Sequence, residues 1–184
     1  MKRLWCAIAT GALAWGCGWP ALAQQDASSG GAQLQRMLVD YHLAQIMRIA
    51  FERAQAQMSS ATAQNQVFQQ VLRQLDRMTD SQFARLAAPS VRDCISEDNA
   101  RTVADFLETD SGRALVAWMI QGLQQPGQAV PKPSIDRKLA QAFAAQGGAA
   151  AMSQFGTCVQ TPERQQQLGL ALVHYATQPA STSN

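Results

Sequence analysis

Apolar positions recur along this chain at spacings of three and four, with Gln and Arg filling the gaps, and no stretch alternates strictly between apolar and polar residues. That rhythm, in a chain rich in Ala, Gln and Leu, predicts an all-α protein, a single-domain multi-helix bundle. The first pattern predicts one long helix from about Gln33 to Met58, with Leu34, Leu38, Ile46, Ile49 and Ala50 near one face, ended by Ser59-Ser60-Ala61-Thr62. Phe68, Val71, Leu72 and Leu75 mark a second helix closing near Met78. Thr79-Asp80-Ser81-Gln82 reads as a capping box that starts a third helix bearing Phe83 and Leu86, which Pro89 is expected to stop.

Ser96-Glu97-Asp98 then supplies a cap and two acids for the positive end of a helix carrying Ala100, Val103, Ala104 and Leu107. Ala114, Leu115, Trp118, Met119 and Leu123 continue at helical spacing, so Thr109 or Asp110 caps a corner between two helices, with Gly112 admitting close packing in the second. Three prolines at 126, 131 and 133 define a linker over 126–134. Ser134 is expected to cap the next helix, with Ile135, Leu139, Ala142 and Phe143. Gly147-Gly148 breaks it, and a small-residue helix to about Gln154 leads to Cys158. Thr161-Pro162-Glu163 opens the last helix, with Leu168, Ala171, Leu172 and Tyr175, and the polar tail 179–184 frays.

The amino end changes the picture of where the chain works. Lys2 and Arg3 precede an apolar run from Leu4 to Trp19, and Ala21-Leu22-Ala23 offers small residues at the positions a signal peptidase reads. Residues 1–23 are therefore read as a signal peptide, leaving a helical domain over 24–178 and a periplasmic or secreted product starting at Gln24. A lipoprotein reading, with attachment at Cys17, is disfavoured by Trp15, which stands where such signals want a small side chain.

Loss of Lys2 and Arg3 takes the 15 basic residues to 13, equal to the 13 acidic ones, so no long-range charge argues for nucleic acid or an anionic partner. No run approaches the roughly 20 apolar residues of a stable membrane span. Cys6 and Cys17 leave with the signal as well. In an exported protein the remaining pair, Cys94 and Cys158, reads as a disulfide worth roughly 4 kcal/mol by loop-closure entropy.

Candidate chemistry is sparse. Ser111 in Asp110-Ser111-Gly112-Arg113 lacks a nucleophile-elbow pattern, and His42 and His174, its only histidine partners, lie far away in the chain beside Tyr41 and Tyr175. Both histidines and Trp118 are expected to pack at the core or its edge. Of the acids, Glu97 and Asp105 are expected to pair with Arg101 on a solvated helix face, with Asp98, Glu108 and Asp110 beside them. Cys94, Cys158 and the two histidines lack the short ligand spacing of structural zinc sites, so neither metal nor cofactor is expected.

The stretch from Ile95-Ser96-Glu97-Asp98-Asn99 through Phe106–Val116 resembles the signature of a bacterial exported family, domain of unknown function 2059, with the likeness concentrated over residues 95–119. Phe106, Thr109, Gly112, Arg113 and Leu115 occupy the signature places, while Leu107 stands where an aromatic is usual. The resemblance implies a small helical envelope protein and packing roles for those five residues, and it supplies no catalytic residue. The resulting expectation is a non-enzymatic domain that binds an envelope protein or peptide in a groove between helices. The alternatives are a carrier of a small molecule or lipid and, lower still, a hydrolase built around Ser111.

Overall fold

The computed structural model describes residues 31–57 and 65–178. The predicted signal peptide with Cys17, the end of the first predicted helix at Met58 to Thr62, and the tail 179–184 lie outside the described residues. The described chain is helical, with α1 (Ala32–Asp40), α2 (Leu43–Gln57), α3 (Gln66–Arg77), α4 (Asp80–Val91), a 3-10 turn (Arg92–Cys94), α5 (Glu97–Leu107), α6 (Asp110–Gln124), α7 (Arg137–Ala145), α8 (Gly148–Val159) and α9 (Pro162–Thr177). Among the described residues there is no strand, and no helix is long and apolar enough to cross a membrane.

Most helices begin where a short polar side chain can satisfy amides left open in the first turn. Thr79 and Gln82 form the capping box of α4. The Ser96 hydroxyl accepts from the Asn99 amide at α5, and the Thr109 hydroxyl accepts from the Gly112 amide at α6. Asn65 does the same for α3, accepting from Val67 and Phe68.

Four expectations are corrected. The helix predicted as continuous from Gln33 breaks at Tyr41–His42, where His42 takes a left-handed φ of 52°. At about 100° per residue, an unbroken helix would place Leu43, nine positions on, roughly opposite Leu34. The break resets the phase, so that Leu34, Met37 and Leu38 of α1 and Leu43, Ala44 and Ile49 of α2 are all buried. Pro89 does not end α4, which runs through it to Val91. Its ring removes the N–H that would bond the carbonyl four residues back, a local cost that the burial of Ser90 and Val91 just beyond it offsets. Asp136, not Ser134, caps α7, its carboxylate accepting from the Lys138 and Leu139 amides at 2.7 and 3.0 Å, which leaves Ile135 outside the helix. Finally α8 continues to Val159, so Cys158 lies in its last turn.

A single cluster of buried side chains runs through the fold, with Phe83, Met37, Leu38, Leu75 and Leu107 among its most enclosed members. α1 lies against α5 and α4, α9 covers α3 and α4, and the α7–α8 hairpin packs on α5. Arginines tie the ends of these helices together. Arg48 of α2 donates to the Leu75 and Met78 carbonyls at the end of α3, and Arg164 of α9 donates to the Ser90 carbonyl and pairs with Asp93 beyond α4. Cys94 and Cys158 form a disulfide with Cα atoms 5.6 Å apart, joining the 3-10 turn to the end of α8.

Candidate functional site

The signature residues converge at the corner between α5 and α6. Thr109 donates to the Phe106 carbonyl at 2.6 Å while accepting from Gly112, so one hydroxyl closes the end of one helix and the start of the next. A Cβ on Gly112 would lie 2.1 Å from the Phe106 carbonyl oxygen and 2.5 Å from the Leu107 Cα, so the two backbones cross where only glycine fits. The Phe106 ring stacks on Phe143 of α7 at 4.1 Å between centroids, and the Phe143 ring in turn lies over Gly148. Arg113 points outward, donating to the Glu108 carbonyl and pairing with Asp110, and Leu115 is half-buried against the core. Phe106, Thr109, Gly112 and Arg113 lie at the corner itself, and Leu115 packs against the core one turn into α6.

Ser111 is buried at 6 % exposure, and its hydroxyl oxygen accepts from the Asp136 amide at 3.0 Å. Trp118 is half-buried rather than central, and its indole N–H donates to the Val130 carbonyl at 3.2 Å. These two side chains of α6 hold down the proline-bearing strap that connects α6 to α7, a segment whose prolines offer no N–H of their own. Ser111→Ala should leave the Asp136 amide without its partner and lower stability by about 1–2 kcal/mol in urea denaturation. An unchanged midpoint would show that the strap does not depend on this bond.

Neither histidine approaches Ser111 by hydrogen bond. His42, expected at the core edge, is exposed because the break at Tyr41–His42 takes it off any helix face, and its Nδ1 lies 3.2 Å from an Asp80 oxygen. His174 is exposed on α9 beside Gln178. The acids also pair differently from the expectation. Arg101 bonds Asp98 at 3.1 Å instead of Glu97 or Asp105, because Asp105 is drawn across the helix interface to Arg36 of α1. The two cysteines are occupied by each other, and among the described residues no three His, Cys, Asp or Glu side chains are grouped to hold a metal ion.

One opening with room for a ligand among the described residues is a shallow groove between α1 and α4, of about 450 Å³, lined by Gln35, Arg36, Val39, Ser81, Ala84 and Arg85. α1 contributes one wall through positions 35, 36 and 39, a helical i, i+1, i+4 set, and the first two turns of α4 contribute the other through 81, 84 and 85. Arg36 is fixed from behind by two carboxylates, Asp105 of α5 and Glu108 just past its end. Its Nε and Nη2 reach Glu108 at 2.6 Å each, and its Nη1 reaches Asp105 at 2.8 Å. The pairing raises the Arg36 pKa further and holds the Glu108 carboxyl below its usual range. Nearby Asp40 is shifted the other way, upward, by burial and by the charge of Glu108.

Arg85 bonds only through Nε, to the Ser81 carbonyl at 3.3 Å, so its terminal amino groups have no partner among the described residues. The groove thus offers an arginine fork, a serine hydroxyl and a glutamine amide around the apolar Val39 and Ala84. This set suits the carbonyl or carboxylate groups of a peptide segment.

The sequence reading did not single out Gln35, Arg36, Ser81 or Arg85 as site residues. The one cue was a surface rich in Arg and Gln, which points to hydrogen-bonded contacts without locating them. Arg36 and Glu108 are 72 positions apart, and no local pattern connects them. No family model matches this chain, and no curated protein and no solved structure matches it either.

Proposed function

We propose that this chain is a helical binding domain of the bacterial envelope, whose α1–α4 groove takes a segment of another protein or a peptide. The observation that carries the reading is the groove itself, an opening between two helices where the Arg85 terminal amino groups, without a partner among the described residues, lie with Gln35 and Ser81 beside Val39 and Ala84. The leader-like residues 1–23, the disulfide, and the likeness of residues 95–119 to the exported family of domain of unknown function 2059 support the envelope part. A carrier of an apolar molecule would be favoured by an enclosed apolar cavity. This groove is open and carries two arginines, a glutamine and a serine, which favours the peptide.

A photo-crosslinking residue placed at Ser81, in the protein expressed with its own leader, should yield a discrete adduct with a protein or peptide. Arg85→Glu should suppress that adduct, and the same probe at Gln121, exposed on α6 and outside the groove, should not give it. Equal adducts at both positions, or none at Ser81, would remove the groove as the binding site.

A further inference from the structure

We propose that the strap and α7 together form a second interaction surface, one that docks on an anionic phospholipid surface. Beyond residue 31 the chain has two lysines, Lys132 and Lys138, and both fall with Arg137 inside seven positions of this arm. All three are exposed, and none has an ion pair among the described residues. Of the other ten arginines beyond residue 31, Arg36, Arg92, Arg101, Arg113 and Arg164 are paired with a carboxylate while Arg48, Arg53, Arg73, Arg77 and Arg85 are not among the described residues, so what sets the arm apart is three unpaired cations within seven positions. The single acid between positions 126 and 146 is Asp136, whose carboxylate is turned onto the α7 amides, so the arm carries a net charge of +2 in a chain otherwise close to balance.

The arm is also shallowly packed, with no buried residue between 126 and 146. No residue of α7 is buried, although Phe143 anchors it by stacking on Phe106. Leu139, one position from Lys138, is 41 % exposed and adds an apolar contact beside the cations. The bonds from Trp118 to Val130 and from the Asp136 amide to Ser111 hold the strap on α6, so the three charges are displayed from a fixed base.

Their chemistry suits a flat anionic surface better than an acidic peptide, because the arm presents an outward helix whereas the groove lies between α1 and α4. A basic residue close to an anionic lipid surface contributes on the order of fivefold in affinity, so three together account for roughly a hundredfold, opposed by salt. The inference stands apart from the groove and does not rest on it.

The test is co-sedimentation of the purified, disulfide-intact protein with phosphatidylcholine vesicles, with and without phosphatidylglycerol. Binding is expected only with phosphatidylglycerol, to fall as salt is raised, and to weaken at least tenfold in Lys132→Gln/Arg137→Gln/Lys138→Gln. Arg73→Gln/Arg77→Gln, which removes two charges elsewhere, serves as the control, since both arginines are exposed on α3 and likewise lack an ion pair among the described residues. That variant should bind like the parent, and unchanged thermal melts of both variants would show that the fold is intact. Absence of binding at low salt, equal binding to pure phosphatidylcholine, or an equal loss in the α3 variant would each overturn the proposal. Stronger binding of the arm to polyglutamate than to the vesicles would also overturn it, replacing lipid by an acidic polypeptide.

Discussion

Gly112→Ala is expected to destabilise this protein by at least about 3 kcal/mol, more than an ordinary overpacked core position. The added methyl would meet the Phe106 carbonyl oxygen at 2.1 Å and the Leu107 Cα at 2.5 Å. Those are backbone atoms, which cannot rotate away as the end of a flexible side chain would, so α5 and α6 have to separate. Separation would also disturb the stack of Phe106 on Phe143 and the Thr109 bridge between the two helices. Gly122→Ala, on the same helix but with nothing within 4 Å of its would-be Cβ, is expected to stabilise by about 0.5–1 kcal/mol through helix propensity alone. Urea denaturation of the two variants checks both signs. A Gly112→Ala midpoint close to the parent's would mean that the crossing of α5 and α6 is looser than described.

Reduction of Cys94–Cys158, or its removal in Cys94→Ala/Cys158→Ala, is expected to cost roughly 4 kcal/mol, as cross-linking across 64 positions restricts the unfolded chain. For a domain of this size that is a large share of a total stability of about 5–15 kcal/mol. The native state should also loosen selectively. The disulfide ties α8 to the turn after α4, whereas α7 is held chiefly through the Phe143 stack and the strap. The midpoint should fall on adding reductant in the parent and show no response to reductant in the double variant. Hydrogen exchange should rise first in α7 and α8. No change in the parent on reduction would mean that the link adds nothing to stability.

Both predictions concern positions whose importance was visible in the sequence, for different reasons. Gly112 follows a Thr cap by three residues and begins an apolar helical pattern, and a glycine in that place has a local geometric meaning. Cys94 and Cys158 were left as a pair by arithmetic once residues 1–23, with Cys6 and Cys17, were set aside as a predicted leader. The α1–α4 groove had no such marker. Its walls join Arg36 to Arg85, and its rear support joins Arg36 to Glu108, and each member reads in isolation as an ordinary solvated charge.

For other positions the residue type was legible and the partner was not. Ser111 read as part of a helix corner without the pattern of a nucleophile, and it also holds the strap through the Asp136 amide, a partner 25 positions on that no spacing rule would nominate. His42 looked like a residue near an apolar stripe, and the change of helix phase between Leu34 and Leu43 placed it instead at an exposed break.

By itself the sequence determined the helical class, most helix starts, the α5–α6 corner and the cysteine pair. Caps, turns and helical faces depend on interactions within about four residues, and these are written in consecutive letters. Only the tertiary structure decided that α1 and α2 part at His42, that α4 runs through Pro89, that α8 reaches Cys158, and that Arg36 turns to α5 while bordering a groove with α4. Those outcomes rest on which faces can be buried together and which charges then meet across distant parts of the chain, and burial against a partner helix outweighs the smaller local preferences of single residues.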